Sequence, residues 1–208
     1  MRRMIGLVLG LALVLGLIVS TQASAAATVT KFQGDFAYAS FDSRDSCIGT
    51  AALVEAYKNK SMSSYPPASK DGYAFAYVEV WQWDSCTHTP IFDSVASAPI
   101  SWNDLNVTGN ARSAKLKTAL SAHDYITGQT RRIAVDLTWK VEGDAYPYKD
   151  SFHNQSPSTI VKVQIKNALA YGTATGRIAV DGVNYTLYRS VDAAAQTNAI
   201  GSVTITKK

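Results

Sequence analysis

Apolar and polar side chains alternate with a period of two along most of this chain. Ile133, Val135, Leu137, Trp139 and Val141 are separated by Ala134, Asp136, Thr138 and Lys140, which is the pattern of a strand with one buried face. Leu116, Thr118, Leu120 and Ala122 alternate in the same way with Lys117, Ala119, Ser121 and His123, and Val161, Val163 and Ile165 with Lys162, Gln164 and Lys166. Asp181-Gly182 stands between two such runs and predicts a tight hairpin, because both turn residues tolerate positive φ. The run from Ser190 to Gln196 is the one helical candidate, with a capping serine and an alanine cluster before Gly201. The pattern therefore predicts an all-β domain, an antiparallel β-sandwich or flattened barrel built from repeated hairpins, with at most one short helix near residues 191–198. Tyr65-Pro66-Pro67 and Tyr146-Pro147 predict loops, and the polar stretch Asp150 to Asn154, which carries His153, reads as a third.

A near-repeat refines the hairpin reading. Asp45-Ser46-Cys47-Ile48-Gly49-Thr50 returns as Asp84-Ser85-Cys86-Thr87-His88-Thr89, and more faintly as Asp124-Tyr125-Ile126-Thr127-Gly128-Gln129-Thr130. Each copy lies between apolar runs, and an aspartate can bond its own backbone two residues on, so each predicts a turn. Aligning the aspartates places Phe41, Val80 and Leu120 in equivalent, core-facing positions. A second echo repeats Arg132-Ile133-Ala134-Val135-Asp136 as Arg177-Ile178-Ala179-Val180-Asp181, on a predicted strand both times.

Cys47 and Cys86 are the two cysteines of the chain and occupy the same place in the first two turns. Neighbouring hairpins would bring equivalent turn positions together, so a disulfide is expected in an exported protein. A zinc site from Cys47, Cys86, His88 and His123 is the competing idea. The paired C-x-x-C spacing of such sites is absent, and no metal or cofactor is expected.

Export itself is read from the first 25 residues. Arg2 and Arg3 precede an apolar run from Met4 to Val19, followed by polar residues and the small Ala23-Ser24-Ala25, the layout of a cleavable signal peptide. The expected organisation is a signal at 1–25 and a single β domain at 26–208, secreted, without integral membrane contact after cleavage. Across the whole chain 20 Lys and Arg face 16 Asp and Glu. That near-balance, without a long basic block, argues against nucleic acid as a partner.

No nucleophile elbow, metalloprotease helix or phosphate-binding glycine loop occurs. His123 and Asp124 are adjacent and would point to opposite faces of a strand, so they do not form an orienting pair. No catalytic residue is assigned. The stronger hint is aromatic. With Val80 facing inward, Tyr77, Glu79, Trp81 and Trp83 share the outer face and form an apolar strip with a carboxylate, suited to stacking against sugar rings. Coverage by the Tyr65-Pro66-Pro67 loop, or burial after a one-residue register slip, is the structural alternative.

The Asp45-Ser46-Cys47-Ile48 turn, Ser113-Ala114-Lys115-Leu116, the Val135-Asp136-Leu137-Thr138-Trp139 strand and Asp181-Gly182-Val183-Asn184-Tyr185-Thr186 together resemble a loosely defined group of exported bacterial all-β proteins of uncharacterised activity. The resemblance spans most of residues 26–208 and implies no catalytic residues. The functional expectation is a secreted, non-enzymatic binding or matrix module whose partner is an extracellular glycan or cell-surface component. An extracellular glycan-active hydrolase and a structural shell component are the alternatives.

Overall fold

The computed structural model describes residues 28–61, 72–108, 111–187 and 192–207. Its strands, in chain order, are β1 (Thr28–Asp45), β2 (Ile48–Ser61), β3 (Tyr73–Asp84), β4 (Thr89–Pro99), β5 (Leu105–Thr108), β6 (Ser113–Asp124), β7 (Thr130–Val141), β8 (Tyr146–Gln155), β9 (Thr159–Val180), β10 (Val183–Leu187) and β11 (Asp192–Lys207). No helix occurs among the described residues. Residues 1–25, where a signal peptide is expected, and Tyr65-Pro66-Pro67 lie outside them.

The four expected turns are all present, since β1, β3, β6 and β9 end at Asp45, Asp84, Asp124 and Val180. Antiparallel pairing runs β1–β2–β3–β4–β6–β7–β9–β11 and then returns to β1. Eight strands thus close on themselves, a barrel of the size that side chains can fill. Alternation decides the interior. Phe41, Val80 and Leu120, equivalent in the repeat, are 2%, 1% and 6% exposed. Much of the remaining core is alanine, including Ala37, Ala39, Ala52, Ala56 and Ala76. The small residues make room for Trp139, which is buried on β7 and donates its indole N–H to the Tyr38 carbonyl at 2.6 Å on β1. Its one polar atom is therefore satisfied inside the barrel.

The second echo has a geometric reason. β7 and β9 are antiparallel neighbours, with Asp136 opposite Arg177 and Ile133 opposite Val180. A segment that starts with Arg and ends with Asp, laid antiparallel to its own copy, places opposite charges across from each other at both ends. At the second end the Asp181 carboxylate accepts the Arg132 backbone N–H at 2.8 Å.

At most one short helix is expected, and none forms in the part of Ser190 to Gln196 that is described: Ala193 and Ala195 lie on β11, buried opposite Ala39 and Ala37. Alanine is a good helix former, but here its small size is what the crowded inner face selects. Tyr146-Pro147 and the His153 stretch belong to β8, not to loops. This strand pairs only with β9 among the described residues, and an edge strand tolerates a proline because one side of it needs no N–H donor.

Candidate functional site

β3 crosses the barrel wall with its even-numbered residues Ala74, Ala76, Val78 and Val80 buried. Every odd-numbered position from Tyr73 to Trp83 therefore faces outward, and all of them are aromatic except Glu79: Tyr73, Phe75, Tyr77, Trp81 and Trp83. Alternate residues on a strand are roughly 7 Å apart, so the ladder is about 33 Å long. The four residues singled out from sequence, Tyr77, Glu79, Trp81 and Trp83, lie together on this face and are half-buried. Sequence reasoning began the strip too late. Tyr73 and Phe75 continue it with the same period, and Tyr57 on β2 extends it sideways, its ring 5.5 Å from Phe75 and 5.9 Å from Tyr73.

Cross-strand register places three carboxylates among these rings. Glu55 on β2 is paired with Tyr77, Glu79 lies two residues further along β3, and Asp93 on β4 is paired with Trp81. They form a diagonal row across three strands. The Tyr77 hydroxyl donates to Glu79 Oε2 at 2.7 Å. Burial, that hydrogen bond and the neighbouring negative charges raise the phenol's pKa well above its usual value. Burial also raises the Glu55 carboxyl. For Asp93, burial acts together with the charges of Glu79 and Asp124 in the same direction, and its buried Oδ1 has no hydrogen-bond partner among the described residues.

The sign of the resulting pH dependence is fixed. A carboxyl whose pKa is higher folded than unfolded binds more protons in the native state, so it lowers stability as pH rises through that interval. Glu55→Gln and Asp93→Asn are each expected to leave stability at pH 7 unchanged or improved. They should also flatten the decline that wild type shows as pH rises from the ordinary carboxylate range. Urea denaturation at a series of pH values checks this; a clear loss at pH 7 in both variants would contradict it.

Trp83 has a second duty. It lies over Gly49, where an added Cβ would overlap the indole ring, so glycine is required for this close approach. Ala51, the cross-strand partner of Trp81, is only 4% exposed although it is on the outer register. The tryptophans thus cover small residues of β2 with one side and present the rest outward.

The turns at one end of the barrel are tied together in two ways. Cys47 and Cys86 form a disulfide, with Cα atoms 5.3 Å apart, which excludes these sulfurs as thiolate zinc ligands. Asp84 Oδ1 accepts the Cys86 and Thr87 amides at 2.8 and 3.1 Å, the Asx geometry that the repeat implies. Its counterpart Asp124 has the same geometry and more. Oδ1 accepts the amides of Ile126 at 3.0 Å and Asp93 at 3.2 Å, while Oδ2 accepts Thr127 Oγ1 at 2.6 Å and Arg131 Nε at 2.8 Å. Arg131 also reaches Asp181 at 2.9 Å and lies over the Phe92 ring. Burial of Asp124 would raise its pKa, but these hydrogen bonds outweigh it and hold the carboxyl far below the usual range. As expected, His123 points the other way and is exposed, edge-on to Tyr125 at 4.9 Å.

This network sits at the barrel's thinnest join. β4 and β6 share only the pairs Ser94–Asp124 and Val95–His123, and the Asp124 side chain adds a bond to the Asp93 amide across that seam. These hydrogen bonds and ion pairs join β4, the β6–β7 turn and the β9–β10 turn, so the cluster acts as a structural latch.

No protein-family model and no curated protein matches the sequence. Among solved structures, the enduracididine biosynthesis enzyme MppR complexed with pyruvate is similar at 8% identity, with 91% of each chain covered and a TM-score of 0.23. A second structure of MppR, complexed with the condensation product of pyruvate and imidazole 4-carboxaldehyde, has 7% identity, 91% of this chain and 90% of that one covered, and the same TM-score of 0.23. Likeness at that level carries no argument about this chain's fold or chemistry.

Proposed function

We propose that this chain is a secreted, non-enzymatic binding module that holds an extracellular glycan on the outer wall of β3. The observation that carries the reading is the ladder itself. Five aromatic side chains and Glu79 alternate along one strand's outer face, where C–H faces of sugar rings can stack and a carboxylate can accept hydroxyl hydrogen bonds. The disulfide is compatible with an oxidising compartment, and no described helix is long and apolar enough to cross a membrane. Secretion rests on the signal-like first 25 residues.

A glycan array probed with residues 26–208 tests the reading. Wild type is expected to retain at least one oligosaccharide class, and Trp81→Ala to lose it. Because Trp81 is half-buried, its removal should cost about 1 to 2 kcal/mol of stability, below the roughly 3 to 5 kcal/mol of a fully packed tryptophan. An array without a hit contradicts the proposal.

A glycan hydrolase has one observation in its favour: Asp93, with a raised pKa, feels the charge of Glu79, as an acid and its partner would. Under that reading Asp93→Asn abolishes turnover of the selected glycan. Under the binding reading there is no turnover to abolish.

A further inference from the structure

The ladder wall is acidic, and the opposite wall of the barrel is basic. In the closed order, β2 lies four strands from β7, and β3 four strands from β9, in either direction, which is half a circumference. On the outer register of β6, β7 and β9, Lys115, Lys117, Arg132 and Arg177 are exposed around two acids, Asp136 and, just past the end of β9, Asp181, which lies across from Arg132. Between them Ala119, Ala134 and Ala179 form part of the lining of a shallow groove of about 450 Å³, bordered by Lys117 and Arg177. On the ladder wall, Asp42 joins Glu55, Glu79 and Asp93 on the outer register of β1 to β4, against Arg44 at the end beside Gly49, and large rings stand between the carboxylates.

The two walls are therefore complementary in charge: a surplus of acids among large aromatic rings on one, a surplus of bases around an alanine-lined recess on the other. We propose that a second copy of this chain docks head to tail, the ladder wall of one molecule seated on the β6–β7–β9 wall of the next. Such a contact uses different patches on the two partners, so it repeats into a ring or an open filament rather than stopping at a symmetric dimer. It brings lysine and arginine to Glu55 and Asp93, whose carboxyls are desolvated within their own wall. The inference rests on charge and not on glycan binding. A glycan on the ladder would compete with the neighbouring copy.

Sedimentation velocity of residues 26–208 tests it. At about 0.01 M salt, where the screening length is roughly 30 Å, the sedimentation coefficient should rise with concentration. At about 1 M salt, with screening near 3 Å, it should fall to the monomer value. Lys117→Glu with Arg177→Glu gives a molecule with two acidic walls, and Asp42→Lys with Glu55→Lys and Glu79→Lys one with two basic walls. Each variant alone should remain monomeric, and an equimolar mixture should assemble again. Wild type that stays monomeric at low salt overturns the proposal even if a variant fails to fold. Assembly that survives both charge reversals, or folded variants that ignore each other when mixed, overturns it as well.

Discussion

Asp124→Ala is expected to cost about 3 to 5 kcal/mol, the penalty for breaking a buried, hydrogen-bonded charge pair by removing one partner. The carboxylate is fully buried and satisfies Arg131, the Thr127 hydroxyl and the amides of Asp93 and Ile126. Without it, those donors lose their acceptor at the seam where β4 meets β6 through only two residue pairs. Asp124→Asn keeps the shape but loses the charge, and should fall between wild type and alanine. The pH dependence follows from the depressed pKa. A carboxyl held below its unfolded value contributes stability that is fully present above about pH 4, and is lost only as pH falls toward the folded pKa. In chemical denaturation, the gap between wild type and Asp124→Ala should therefore persist from pH 7 to about pH 4 and narrow below it. An alanine variant within about 1 kcal/mol of wild type at pH 7 would contradict the latch.

Removing the disulfide should have an effect of comparable size. Cys47 and Cys86 close a loop with a sequence separation of 39, and releasing that constraint from the unfolded chain costs about 4 kcal/mol in the chain-entropy picture. Cys47→Ser with Cys86→Ser should lower the denaturation midpoint accordingly and preserve the circular dichroism of an all-β protein. In wild type, reduction should add the mass of two hydrogens and expose two thiols to alkylation. Two reactive thiols before reduction would defeat the assignment. The disulfide and the latch tie different pairs of turns, so their losses should add to within about 0.5 kcal/mol.

How much of this was legible in the sequence depends on whether local pattern or distant packing decided the outcome. Alternation placed Phe41, Val80 and Leu120 inside because period-two burial is a local property of a strand. The three Asp-led turns were legible for a similar reason, since Asp84 and Asp124 bond amides two and three residues on. Alanines 193–195 left a helix open and Pro147 misled because their local preferences were overruled: the first by a crowded inner face, the second by an edge position. The role of Asp124 was invisible. Its turn geometry is local, but Arg131 and the Asp93 amide reach it only once β4, β6 and β7 are side by side. The diagonal of Glu55, Glu79 and Asp93 likewise needs the register of three strands, whereas Tyr73 and Phe75 were within reach of the same alternation that found Trp81.

The most direct test of the ladder is to watch its own indoles. In a nitrogen-15 correlation spectrum, Trp81, Trp83, Trp102 and Trp139 each give an indole N–H signal. Titration with the oligosaccharide selected on the array should move the Trp81 and Trp83 signals. The Trp139 signal should stay fixed, because its indole is buried and bonded to the Tyr38 carbonyl. Saturable shifts confined to Trp81 and Trp83 are the predicted result; shifts at Trp102 alone, or binding without movement of either ladder indole, would contradict the account.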